Sequence, residues 1–128
     1  MGLPTDATIT WYGHACVELR LADGRVVLID PWFGNPLSPR AAASVDRCDL
    51  LLVTHGHGDH LGDGVALASR LRPAWPCIHE MSLWLARRLP GGSDQVTGMN
   101  KGGTVEAAGL LVTMTGALYD ERLYKAVD

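Results

Sequence analysis

Apolar and polar positions alternate at the start of the chain and then give way to unbroken apolar runs. Residues 7–12, Ala7-Thr8-Ile9-Thr10-Trp11-Tyr12, and residues 16–21, Cys16-Val17-Glu18-Leu19-Arg20-Leu21, have the period of two that predicts strands. Ala22-Asp23-Gly24-Arg25 follows as a hairpin turn, with Asp-Gly as its signal. Val26-Val27-Leu28-Ile29 and Leu50-Leu51-Leu52-Val53 contain no polar position, the pattern of strands covered on both faces. Residues 61–72 then place Leu61, Val65, Leu67, Ala68 and Leu71 at a mostly helical spacing. A second helix is predicted over 82–89, capped by Ser82 and apolar at Leu83, Leu85, Ala86 and Leu89. Short strands are expected at 77–79 and 95–99, and a closing hairpin at 104–107 and 110–114 around Ala108-Gly109. Pro31, Pro36 and Pro39 keep residues 32–49 mostly irregular, apart from a helical turn at Ala41-Ala42-Ala43.

These elements do not balance. Strands apolar on both faces require two covering layers, and the two helices suffice for one. The other face is expected to mark either an interface, covered by a second copy of this chain in a two-fold arrangement or by a companion chain, or an unstable fragment.

Composition narrows the function classes. The 128 residues form one domain with a real core, 47% hydrophobic and 20% charged. A formal net charge of −3, with no basic cluster beyond Arg87-Arg88, argues against a nucleic-acid partner. No apolar run approaches the ~18–20 residues of a membrane span, and the first residues lack the basic and apolar segments of a signal peptide. Cys16, Cys48 and Cys77 are widely spaced and read as packing residues, so a cytoplasmic setting is expected.

Chemistry is concentrated directly after the second apolar run, in Thr54-His55-Gly56-His57-Gly58-Asp59-His60. Imidazole nitrogen and carboxylate oxygen are ligands for zinc and similar divalent ions. In an extended loop His55 and His57 project to one side and reach one ion; Asp59 and His60, where the chain turns into the helix, serve a second. Gly56 and Gly58 permit backbone angles that other residues avoid. Asp30, at the end of the strand 26–29 and near where the histidine loop should emerge, is a carboxylate placed for a role there, with a cap for the Asp-Pro turn as the alternative. His14, at another strand end, reads either as a structural histidine or as a second supporting residue at the rim of the site. Trp32 and Phe33 line a substrate pocket or pack in the core. His79 has no neighbour of ligand type and reads as structural.

The stretch 54–60 resembles the His-x-His-x-Asp-His signature of the metallo-β-lactamase superfamily. Trp11-Tyr12-Gly13-His14-Ala15, Leu28-Ile29-Asp30-Pro31-Trp32 and Gly98-Met99-Asn100-Lys101-Gly102-Gly103 extend the resemblance to the branch of metal-dependent hydrolases that includes L-ascorbate-6-phosphate lactonase. It runs from Ile9 to Thr115 and covers the first half of that fold. The implied architecture is α+β: the N-terminal half of an αββα sandwich, one mixed, mostly antiparallel sheet with about two helices on one face. The implied activity is hydrolysis of an ester, lactone or phosphoester in a small-molecule substrate by metal-activated water. His55, His57, Asp59 and His60 would hold up to two divalent ions, zinc first and manganese or iron as alternatives, with Asp59 also orienting the nucleophile and Asp30 supporting the histidine loop as the matching Asp does in that family. The family's third ligand histidine falls near Tyr119, and its bridging Asp and final His have no counterpart in the sequence. The expectation is therefore a single truncated domain over 1–128 whose tail, 116–128, departs from the family. Tyr119, Leu123 and Val127 in that tail have the spacing of a short helix over the open face. A catalytically inactive metal-binding or interaction module, or half of a site completed by a second chain, stands as the alternative.

Overall fold

A computed structural model describes residues 6–92 and 94–116 of the chain. The alternating N-terminal segments form β1 (Thr8–Trp11) and β2 (Val17–Arg20), and the two apolar runs form β3 (Val26–Ile29) and β4 (Leu50–Leu52). β1, β2 and β3 pair antiparallel, and β4 adds in parallel to β3 with Leu28 opposite Leu51. The Asp23-Gly24 turn closes as expected, with Leu21 N–H donating to Arg25 O at 2.9 Å and Gly24 at φ +92°. A parallel bridge between Leu50 and Ala74 joins this sheet to β5 (Trp75–Ile78), which pairs in parallel with β6 (Val96–Met99). β7 (Thr104–Ala107) and β8 (Leu110–Thr113) form the closing antiparallel hairpin.

Three predicted boundaries move. The helix expected over 61–72 is two helices, α1 (Gly58–Leu61) and α2 (Gly64–Leu71). They are broken at Gly62, whose φ of +47° brings it against the Trp32 backbone. Asp63 does not continue the helix because it is tied elsewhere: its N–H donates to Pro31 O at 3.0 Å and its Oδ2 accepts from Phe33 N–H at 2.9 Å. The second helix, α3 (His79–Ala86), begins three residues before the predicted cap, so the strand at 77–79 shifts back to β5 and His79 becomes helical. Ser82 lies inside α3 and its hydroxyl donates to His79 O, so it caps nothing. The helical turn at 41–43 appears as a 3₁₀ turn over Ala42–Ser44. The predicted helix around Tyr119, Leu123 and Val127 lies outside the described residues.

One core unites the sheet and the helices. Val26, Leu28 and Leu51 point to the face where Leu61, Leu67, Ala68, Met81 and Leu85 pack, together with Cys16, Cys48, Phe33 and Trp75. Burial pushes the thiols of Cys16, Cys48 and Cys77 up to about 12, so all three act as apolar packing groups. The opposite face presents Ile9, Leu19, Val27, Leu50 and Leu52 and is partly roofed by the β7–β8 hairpin, which Arg25 anchors by donating to Ala108 O at 2.9 Å. An apolar cavity of about 290 Å³ remains between hairpin and sheet, reaching Thr54. Towards the edge strand the cover ends, leaving Ile9 71% and Trp11 60% exposed. Among the described residues, the uncovered part of this face is smaller than strand pattern alone predicts.

Candidate metal centre

The site gathers at the carboxyl ends of β3 and β4, where both strands run out into loops. Asp30 N–H still donates to Leu52 O at 2.9 Å, and the chain then turns sharply, with Asp30 at φ +46°. This left-handed conformation is uncommon for a non-glycine residue, although aspartate adopts it more readily than most, and it persists where the surroundings over-determine it. The carboxylate it positions is 2% exposed and fully used. Oδ1 accepts from Thr54 N–H at 2.7 Å, and Oδ2 accepts from the Thr54 hydroxyl at 2.8 Å and lies 2.9 Å from His60 Nδ1.

Those bonds determine which nitrogens face the site. A carboxylate can only accept, so the proton of His60 sits on Nδ1 and Nε2 carries the lone pair. The Thr54 hydroxyl spends its own proton on Asp30, so its oxygen accepts from His55 Nδ1 at 2.9 Å. His55 is therefore also held with Nε2 free. One buried carboxylate thus sets the tautomer of two histidines, one directly and one through Thr54, the arrangement that orients imidazoles towards a cation. Thr54 was absent from the sequence-based site; its only signal was its place at the strand end before His55.

The rest of the cluster follows from α1. His57 immediately precedes this single turn, so Asp59 and His60 lie within it, where the chain was expected to turn into the helix. The His55 and His57 rings are 4.6 Å apart and the His55 and His60 rings 4.0 Å apart, centre to centre. The His55 pKa is lowered, chiefly by burial and then by the neighbouring His60 and His57. Desolvation pulls Asp59 upward, but its own backbone N–H and the nearby His60 and His14 outweigh it and leave its carboxyl below the usual range. At neutral pH both are in the forms a cation binds.

His14 arrives from far along the chain. Its Nε2 lies 3.0 Å from Asp59 Oδ2, its ring is 5.2 Å from that of His60, and the Trp32 ring meets it edge-on. The corner that carries it is built deliberately: Gly13 is at φ +97° and His14 at φ +52°. Trp11 Nε1 donates to His14 O at 2.8 Å, and the buried Asn35 amide donates to Tyr12 O and Trp32 O at 3.0 and 2.8 Å. Asn35 is a second support that sequence reading missed, since a lone Asn in a proline-rich loop reads as turn chemistry. Trp32 borders the site, whereas Phe33 is in the core, and the exposed His79 lies at the start of α3 beside Gly98.

Residues 25–124 match a family model described as the beta-lactamase superfamily domain. A metal-dependent hydrolase of Koribacter versatilis is 43% identical over 112 residues, covering 87% of this chain and 47% of that protein. Another, from Methanopyrus kandleri, is 42% identical over 116 residues, 90% of this chain and 48% of that protein. Among solved structures, a metallo hydrolase from the hyperthermophilic archaeon Ignicoccus hospitalis is similar with a TM-score of 0.67 at 32% identity, over 77% of this chain and 42% of that one. The chain therefore spans about half the length of the curated relatives it matches.

Proposed function

This chain belongs to the metallo-β-lactamase superfamily, and from that premise we propose that it carries the metal-binding loop of a metal-dependent hydrolase acting on an ester, lactone or phosphoester. The observation that carries the reading is the convergence of His14, His55, His57, Asp59 and His60 in front of the buried Asp30 carboxylate. The donor set fits a divalent cation: neutral imidazoles with defined free nitrogens and an anionic carboxylate, which suit zinc and also manganese or iron. When bound, such an ion lowers the pKa of water and polarises the bond to be cut. His55 and His57 are the ligands of one position, Asp59 and His60 of another. Asp59 also accepts a hydrogen bond from the attacking water and so orients it, while Asp30 and Thr54 keep the imidazole nitrogens aimed. The substrate is a small molecule, and three buried free thiols suit a reducing cytoplasm. Among the described residues no helix is long and apolar enough to cross a membrane.

A second reading, a metal-binding module without turnover, is favoured by one observation. Among the described residues, the group that could hold one ion at Asp59 and His60 takes only His14 from outside the 55–60 loop, the Asp30 carboxylate being spent on Thr54 and His60 Nδ1. Metal content per chain, followed by hydrolysis of simple ester, lactone and phosphodiester substrates against a His55→Ala control, separates the two. Bound metal with turnover above the control supports the hydrolase. Bound metal without turnover supports the module, and protein that takes up no divalent ion sinks both.

A further inference from the structure

We propose that His14, Asp59 and His60 form one cation site that this chain completes by itself, with His14 Nε2 as a direct ligand. The proposal rests on the metal-binding reading above and goes beyond it by adding a ligand from outside the histidine loop and by ranking the two positions. His14 Nε2, Asp59 Oδ2 and a ring nitrogen of His60 lie within 4.8 Å of one another, with separations of 3.0 Å from His14 Nε2 to Asp59 Oδ2 and 3.8 Å from His60 Nε2 to Asp59 Oδ2. Ligand bonds of about 2.0–2.2 Å in a tetrahedral zinc site put neighbouring donor atoms roughly 3.3 Å apart. Small side-chain rotations therefore bring all three onto one ion, leaving a fourth position open.

The alternative, a hydrogen bond that merely steadies Asp59, explains the local structure less well. The His14 and Asp59 side chains are 40% and 45% exposed, and a pair that open to water contributes little. Yet the backbone is committed to presenting it. His14 sits in the left-handed region, which non-glycine residues occupy at a cost of order 1–3 kcal/mol and only where the surroundings over-determine it. Here the surroundings are the Trp11 indole, the Gly13 turn and the buried Asn35 amide. His60 is equally committed, since Asp30 fixes its Nδ1 proton and leaves Nε2 for the same point. Three protein ligands with a fourth position open are what a zinc ion takes in such a site, which predicts that the His14 position fills first.

The test is a zinc titration of the full chain, with native mass spectrometry for stoichiometry and calorimetry for affinity. Wild type is expected to bind one ion at least tenfold more tightly than any second. His14→Asn, chosen because asparagine tolerates the left-handed region, should weaken the tight ion about 100-fold while retaining the wild-type circular dichroism spectrum. His55→Ala with His57→Ala should keep the tight ion. In that variant the remaining histidines are His14, His60 and His79. X-ray absorption should therefore count two imidazoles on the zinc, a result that does not depend on the folding of a His14 variant. One imidazole there, or a tight ion unaffected by His14→Asn but lost in Asp59→Asn, overturns the role of His14 and leaves the metal-binding reading standing. A wild-type chain with no tight ion overturns both.

Discussion

Asp30 does more for the site than any ligand it supports, because its two oxygens hold Thr54 and His60 at once and, through the Thr54 hydroxyl, His55. Asp30→Asn keeps the size and tolerates the left-handed backbone, but its amide cannot accept from all three donors. Zinc affinity is expected to fall about 10- to 100-fold, with the His60 tautomer no longer fixed. Calorimetry reads the first and ring-nitrogen NMR the second; affinity within twofold of wild type would remove Asp30 from the site. His55 gives a pH effect in the metal-free chain. Its folded pKa lies below the ordinary 6.5, so between the two values the unfolded chain binds a proton that the folded chain resists. Its contribution to stability is therefore complete above pH 6.5 and is lost as the pH falls towards the folded value. Melting in chelator should show wild type losing more stability than His55→Gln between pH 8 and 5; parallel losses would contradict the assignment.

At the scale of elements, the break between α1 and α2 decides where Asp59 and His60 point. A continuous helix from Leu61 would leave the preceding loop free, whereas Gly62 and Asp63 lock α1 against the 31–33 segment. A Cβ on Gly62 would lie 2.5 Å from the Trp32 Cα, and backbone there has nowhere to move. Gly62→Ala is expected to cost about 2 kcal/mol or more in chemical denaturation. Gly58→Ala serves as the control: its added methyl meets nothing within 4 Å, so stability should hold or rise by about 0.5 kcal/mol. Equal effects from the two would mean that α1 is not held by the Gly62 contact.

For the molecule as a whole, the open issue is the apolar sheet face beside β1. The β7–β8 hairpin covers the β3–β4 end, while Ile9 at the edge strand stays in water. A second copy or a companion chain seated there would bury it. Ile9→Lys probes this without disturbing Trp11, whose indole holds the His14 corner. Wild type should elute above monomer size in a concentration-dependent manner, and Ile9→Lys as a monomer with unchanged zinc content. A monomeric wild type at high concentration would exclude the second copy.

The sequence by itself determined the elements whose pattern is local. The alternation of β1 and β2, the unbroken apolar β3 and β4, the Asp23-Gly24 turn and the β7–β8 hairpin were all legible because burial imprints its period on the strand that is buried. The concentration of ligand-type residues between His55 and His60 was legible for the same reason: four such side chains lie within one short loop. What only the tertiary structure decided are the meetings between distant residues. His14 reaches Asp59 across 45 positions, Asp30 reaches Thr54 across 24 and His60 across 30, and Asn35 pins a corner 22 residues away. Such pairings depend on sheet register and on left-handed turns at His14 and Asp30, residue types that allow that conformation but more often adopt others. The break at Gly62 was missed for a related reason, because its cause is the Trp32 backbone, a neighbour in space and not in sequence.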